Sequence, residues 1–140
     1  MQALQESGIP YDPENVIWFH TEDRKTKPSL MLSMLLDSKK SVDAAVCYND
    51  QIALAVISML EQKGISVPED LSVTGFDDNI YARLSRPMLT TVRQKPEEKG
   101  KEAVGLLMRR IYGEEVPVGR MRLPTELIAV SYTHLTLPTT

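Results

Sequence analysis

Asp77 and Asp78 stand side by side where the apolar residues 71–76 end. A carboxylate accepts two hydrogen bonds at once, so an acid placed there can read a pair of vicinal hydroxyls. The plainer reading is a turn, in which Asp bonds its own local backbone. Two neighbouring acids also suit a phosphoacceptor receiver that holds magnesium, a fold that needs a further acid at its first strand and a lysine near its last. Gln94-Lys95 matches that lysine weakly. Asn49-Asp50 follows another apolar run, residues 44–48. Either side chain can cap a following helix, and Asn, with donors and an acceptor together, also suits a hydroxyl that both gives and takes a hydrogen bond.

The remaining chemistry-bearing residues are weaker candidates. Glu22-Asp23 can line a cleft, but beside Arg24, Lys25 and Lys27 they read more simply as a solvated loop. His20 reads as a residue at a strand end, and Cys47, inside Ala-Ala-Val-Cys-Tyr, as a small buried hydrophobe. There is no glycine-rich phosphate loop, no nucleophile elbow and no His/Cys array of metal-binding spacing. The sequence thus offers no catalytic, metal-binding or cofactor-binding motif of these kinds.

The elements that must position these residues follow from local patterns. Residues 2–7 read as the end of a helix capped by Gly8, residues 16–19 as a short buried strand, and residues 29–37 as a helix. A second pair repeats this order: a strand at 44–48, then a helix at 51–63 stopped by Gly64. A third strand is expected at 71–76 with a helical turn to Leu84, a fourth at 89–92, a helix at 96–111 opened by Pro96, and a last strand at 123–130. Strands alternating with helices of this length predict an α/β fold with a doubly wound, mostly parallel sheet and helices on both faces. Ligands of such sheets bind beyond the carboxyl ends of the strands, after residues 19, 48 and 76. The helix at 51–63 is apolar nearly all round, which implies cover on more than one side, by the sheet and by a partner subunit or further core.

Composition narrows the classes. The chain has 140 residues, 42% hydrophobic and 25% charged, the usage of one ordinary globular domain. Its net charge of −3 gives no general attraction to nucleic acid or to anionic lipid. One cysteine forms no internal disulfide, the longest apolar run is residues 52–57, and residues 1–20 are too polar for a signal peptide, so a cytoplasmic location with no membrane partner is expected. Residues 131–140 contain no Asp, Glu, Lys or Arg and four threonines, and their wording resembles translated adapter sequence. They read as a tail foreign to a domain at residues 1–130.

Three stretches in order, Cys-Tyr-Asn-Asp-Gln-Ile-Ala at 47–53, Gly-Ile-Ser-Val-Pro-Glu-Asp-Leu-Ser-Val-Thr-Gly-Phe-Asp-Asp at 64–78 and Pro-Met-Leu-Thr-Thr-Val-Arg-Gln at 87–94, resemble the effector-binding domain of the lactose/galactose-repressor family. With the upstream residues 19–23, the wording most resembles the family's arabinose-responsive branch in Gram-positive bacteria, where a winged-helix DNA reader precedes the domain. The resemblance implies a periplasmic-binding-protein-like fold of two lobes, of which residues 1–130 match the C-terminal half, the second lobe plus the hinge return. It implies a sugar effector, L-arabinose or a relative, read by Asn49 and Asp77, with Glu22 at a variable cleft position and Gln94 at the return to the hinge. Asp50 and Asp78 fall on structural positions. It further implies a homodimer, with Ala53, Ile57 and Leu84 as interface positions, and contact with DNA only through a reader domain absent from these residues. A periplasmic sugar receptor for transport shares the fold and stands as the alternative, ahead of the receiver.

Overall fold

The computed structural model of the chain describes residues 2–18, 20–23, 26–37, 42–86, 88–116 and 120–130. In chain order these form helix α1 (Gln2–Glu6), 3-10 turns at Pro13–Asn15 and Thr21–Asp23, α2 (Lys27–Asp37), β1 (Ala44–Val46), α3 (Asp50–Gln62), β2 (Ser72–Thr74), α4 (Ile80–Leu84), β3 (Thr91–Arg93), α5 (Pro96–Ile111) and β4 (Glu126–Ile128). The tail at 131–140 lies outside the described residues.

Local chemistry sets the limits of α3. Asn49 Oδ1 accepts from the Ile52 N–H at 2.9 Å and closes the helix start. At the other end, Gly64 takes φ +73°, Gly64 N donates to Glu61 O at 3.0 Å, and Ile65 N donates to Leu60 O at 2.9 Å. This pair of bonds is the Schellman stop, in which the left-handed residue is best a glycine. Between these caps, Ile52, Ala53, Val56, Ile57 and Leu60 are buried in the core with Leu32 of α2, Leu71, Val73 of β2, Ala82 of α4 and Leu89. The nearly uniform apolarity of α3 is therefore answered by α2, α4 and β2 packing around it within one chain.

β1 and β2 run parallel, with Ala44 opposite Ser72, Ala45 opposite Val73 and Val46 opposite Thr74. α3 is the crossover that parallel neighbours require. Isolated parallel bridges Thr74–Thr90 and Asp77–Arg93 carry the layer to β3, which pairs antiparallel with β4. Ala45 and Val73 pack on the core, whereas Ala44, Val46 and Ser72 on the opposite face are exposed, so among the described residues helices cover one face of this layer. α5 is amphipathic but buries none of its residues.

One expected strand, at residues 16–19, is not formed among the described residues. Residues 16–18 form no ladder, although Val16 has extended angles (φ −107°, ψ 112°), and Phe19 lies outside the described residues. An extended segment becomes a strand only through hydrogen-bonded neighbours, and Trp18 is exposed rather than packed. No helix among the described residues is long and apolar enough to cross a membrane.

Candidate functional site

The carboxyl end of β2 runs into Gly75, Phe76, Asp77 and Asp78, and the backbone there is held on both sides. Asp50 N donates to Phe76 O at 3.0 Å, Gly75 N to Thr90 O at 2.9 Å and Asp77 N to Val92 O at 2.9 Å. Asp77 and Asp78 both have positive φ, 107° and 53°. Side chains with a Cβ disfavour that region, so the loop is an unusual conformation fixed by its surroundings.

Asp50 lies beneath this loop, fully buried. Its Oδ2 accepts from Asn79 N at 2.9 Å and its Oδ1 from the Thr91 hydroxyl at 2.6 Å. Gly75 makes the room: a Cβ there would collide with Asp50 Oδ1 and come within 2.8 Å of Leu89 Cδ2. Asp78 is also buried, and two cations reach it, Arg83 Nη2 at 2.9 Å and Arg93 Nε at 2.5 Å. Burial pushes the Asp78 carboxyl up, but the hydrogen bonds and charges of Arg83 and Arg93 outweigh it and hold the group below the usual carboxylate value. The same bond raises Arg93 above its ordinary value. Asp78 is thereby committed to arginines rather than left for magnesium, which removes the support for a receiver site.

Asp77 differs from its neighbour. It is half-buried and, among the described residues, takes one side-chain bond, from Gln94 Nε2 at 2.6 Å, while Lys99 Nζ donates to Gln94 Oε1 at 3.1 Å. Asp77, Asp78, Arg83, Arg93, Gln94 and Lys99 line an open depression of about 560 Å³. Two residues singled out separately in the sequence, Asp77 and Gln94, are thus brought together. Asn49 is half-buried at the parallel strand end, and its Oδ1 is used as the α3 cap. Glu22 is exposed in the turn Thr21–Asp23 and does not line the depression.

Two expected interface positions need correction. Ala53 is 0% exposed and Ile57 5%, both inside the chain's own core, where α2, α4 and β2 pack around α3. Leu84 is 70% exposed, and Ile80, four residues before it on α4, is exposed as well. Burial pushes the Cys47 thiol up to about 12, in keeping with a packed small hydrophobe and not a nucleophile. Thr91 and Arg93 were not expected as partners of the acidic loop; the Thr-Val-Arg alternation at 91–93 was the available signal.

A parallel α/β layer with a polar loop cluster at the carboxyl ends of its strands defines a ligand-binding class of fold. The family model for the periplasmic binding protein-like domain matches residues 1–129, and the chain belongs to that family. It is 34% identical over 131 residues to the arabinose metabolism transcriptional repressor of Geobacillus stearothermophilus, covering 91% of this chain and 36% of that protein. It is likewise 34% identical over 128 residues to the repressor CytR of Escherichia coli K12, covering 91% and 37%. Among solved structures, the transcriptional regulator CelR in its cellobiose complex superposes with a TM-score of 0.82 at 34% identity, over 91% of this chain and 38% of that one. A LacI-family regulator from Sanguibacter keddieii gives 0.80 at 29%, over 91% and 47%. The chain spans little more than a third of the length of these curated relatives, and the relatives are transcription repressors.

Proposed function

We infer that this chain is the sugar-sensing and self-associating part of a bacterial transcription repressor acting in the cytoplasm, with no reaction catalysed. Asp77 and Asn49 read hydroxyls of the effector, and Gln94 contributes beside Asp77. The effector is L-arabinose or a related sugar. Subunits pair through the face of α4 that carries Leu84, and DNA is contacted by a reader domain outside these residues.

The observation that carries this reading is Asp77 itself. Its neighbour Asp78 is buried under two arginines, while Asp77 stands in the open depression with one neutral amide donor at 2.6 Å. A carboxylate has about four lone-pair sites, so capacity remains for vicinal hydroxyls. The repressor relatives favour a sensor over a transport receptor, and the cellobiose bound to CelR supports a sugar as the ligand class. Coupling to DNA requires that the sugar bind two arrangements of the repressor with different affinity.

Calorimetric titration of the full-length gene product with L-arabinose, related pentoses, cellobiose and a nucleoside tests the reading. Saturable binding of a sugar is expected; heat with the nucleoside alone, or with none of them, overturns it. The 140-residue chain by itself is expected to bind L-arabinose no more tightly than about millimolar, near −4 kcal/mol, because its depression is open to water that competes for each hydrogen bond.

A further inference from the structure

Three features converge beneath Asp77 that the proposed sugar contacts do not use: a fully buried carboxylate on Asp50, a fully buried hydroxyl on Thr91, and two consecutive left-handed residues above them. Thr91 Oγ1 lies 2.6 Å from Asp50 Oδ1 and also accepts from Asp78 N at 3.2 Å. A carboxylate only accepts, so the Thr91 proton points to Asp50 and a lone pair of the same oxygen is left for the Asp78 amide. The second Asp50 oxygen takes the next amide along, Asn79 N, at 2.9 Å. The two backbone amides that follow Asp77 are therefore both held by one buried network spanning α3, β3 and the loop.

We propose that Asp50 and Thr91 are positioning residues for effector recognition: by anchoring the amides of Asp78 and Asn79 they hold Asp77 in its left-handed conformation, and this aims the Asp77 carboxylate at the effector. The proposal rests on the reading of Asp77 as a sugar contact. The loop conformation is one that residues with a Cβ disfavour, so releasing its anchors lets it relax to negative φ. Rotation about the Asp77 backbone then carries the carboxylate away from the place where Gln94 now meets it. The anchoring groups are buried and never touch the sugar. Their effect on affinity acts through Asp77 alone.

The test is a set of variants in the full-length gene product, titrated with L-arabinose. Asp77→Ala is expected to lose affinity. Thr91→Val, close in shape but without the hydroxyl, is expected to weaken binding by about tenfold or more, and Thr91→Ser, which retains the relay, to stay within about twofold of wild type. Asp50→Asn keeps the size of the side chain but turns one acceptor into a donor, and gives the same loss by a route that does not depend on the valine variant folding. The readout that a merely stabilising role does not move is coupling: with Thr91→Val in place, Asp77→Ala should add less than about threefold, because the misaimed carboxylate has little left to lose. If Asp77→Ala loses affinity while Thr91→Val and Asp50→Asn bind as wild type, or if the losses simply multiply, the positioning role is overturned and the sugar site stands. If Asp77→Ala binds as wild type, the site and the positioning role fall together.

Discussion

Gln94 Nε2 donates to Asp77 Oδ1 across 2.6 Å, joining the end of β3 to the loop that leaves β2. Seventeen residues separate them in the chain, and each stands at the edge where a parallel α/β layer presents its loops. The partnership leaves Asp77 oriented yet accessible, in contrast to the sealed Asp78 next to it.

Asp77→Ala should therefore act on binding more than on folding. The lost charge-assisted bonds to hydroxyls correspond to about 1.5–3 kcal/mol in affinity. A half-buried side chain with one amide partner has little packing to lose, so the thermal midpoint should move slightly. Calorimetry on the full-length gene product together with a melting curve separates the two effects, and a large drop in midpoint with unchanged affinity would contradict this assignment.

Charge at Leu84 and charge at Ala53 should have opposite consequences. Leu84→Glu alters an exposed apolar side chain on α4 and should yield folded monomers in sedimentation velocity. Ala53→Glu places a carboxylate where exposure is 0% and should unfold the chain, since an unpaired buried charge costs on the order of several kcal/mol. A Leu84→Glu protein that remains dimeric removes α4 from the interface.

Acid stability should depend on Asp78. Its carboxyl is held below the usual value in the folded state, with Arg83 and Arg93 as partners, so protons bind the unfolded chain more readily. The stabilisation is fully present above the unfolded carboxylate value of about 3.9 and is lost as pH falls through the lower folded value. Asp78→Asn should lower the urea midpoint at neutral pH, and the gap from wild type should close below about pH 4. An equal gap at both pH values would show that the arginine contacts do not carry it.

Gly75→Ala should destabilise more than an exposed glycine change. The added methyl meets Asp50 Oδ1 and Leu89, both packed, and overpacking of this kind costs about 1–3 kcal/mol. Denaturant unfolding measures it; Gly100→Ala on the open surface of α5, where a Cβ meets nothing within 4 Å, is the control and should be neutral or stabilising.

The helices of this protein were legible in its sequence because their signals are local. Asn49 as a cap, Gly64 as a stop and Pro96 with Glu97 and Glu98 at a helix start each act within one turn, and α3 and α5 lie within one residue of the spans those signals imply. The strand and helix alternation, and the motifs at 47–53, 64–78 and 87–94, likewise sufficed for the fold class and for the family. What neighbours decide was not legible. Residues 16–18 have the composition of a strand but no ladder among the described residues, since pairing belongs to two segments and not to one. Apolarity around α3 showed that it must be covered, but only packing showed that α2, α4 and β2 supply the cover and take Ala53 and Ile57 into the core. Local chemistry alone does not tell two adjacent aspartates apart, and only the family resemblance gave Asp77 and Asp78 different roles. Tertiary structure separates them, because the arginines that reach Asp78 and the glutamine that reaches Asp77 arrive along different elements, with a hydroxyl and a carboxylate 41 residues apart setting the loop between them.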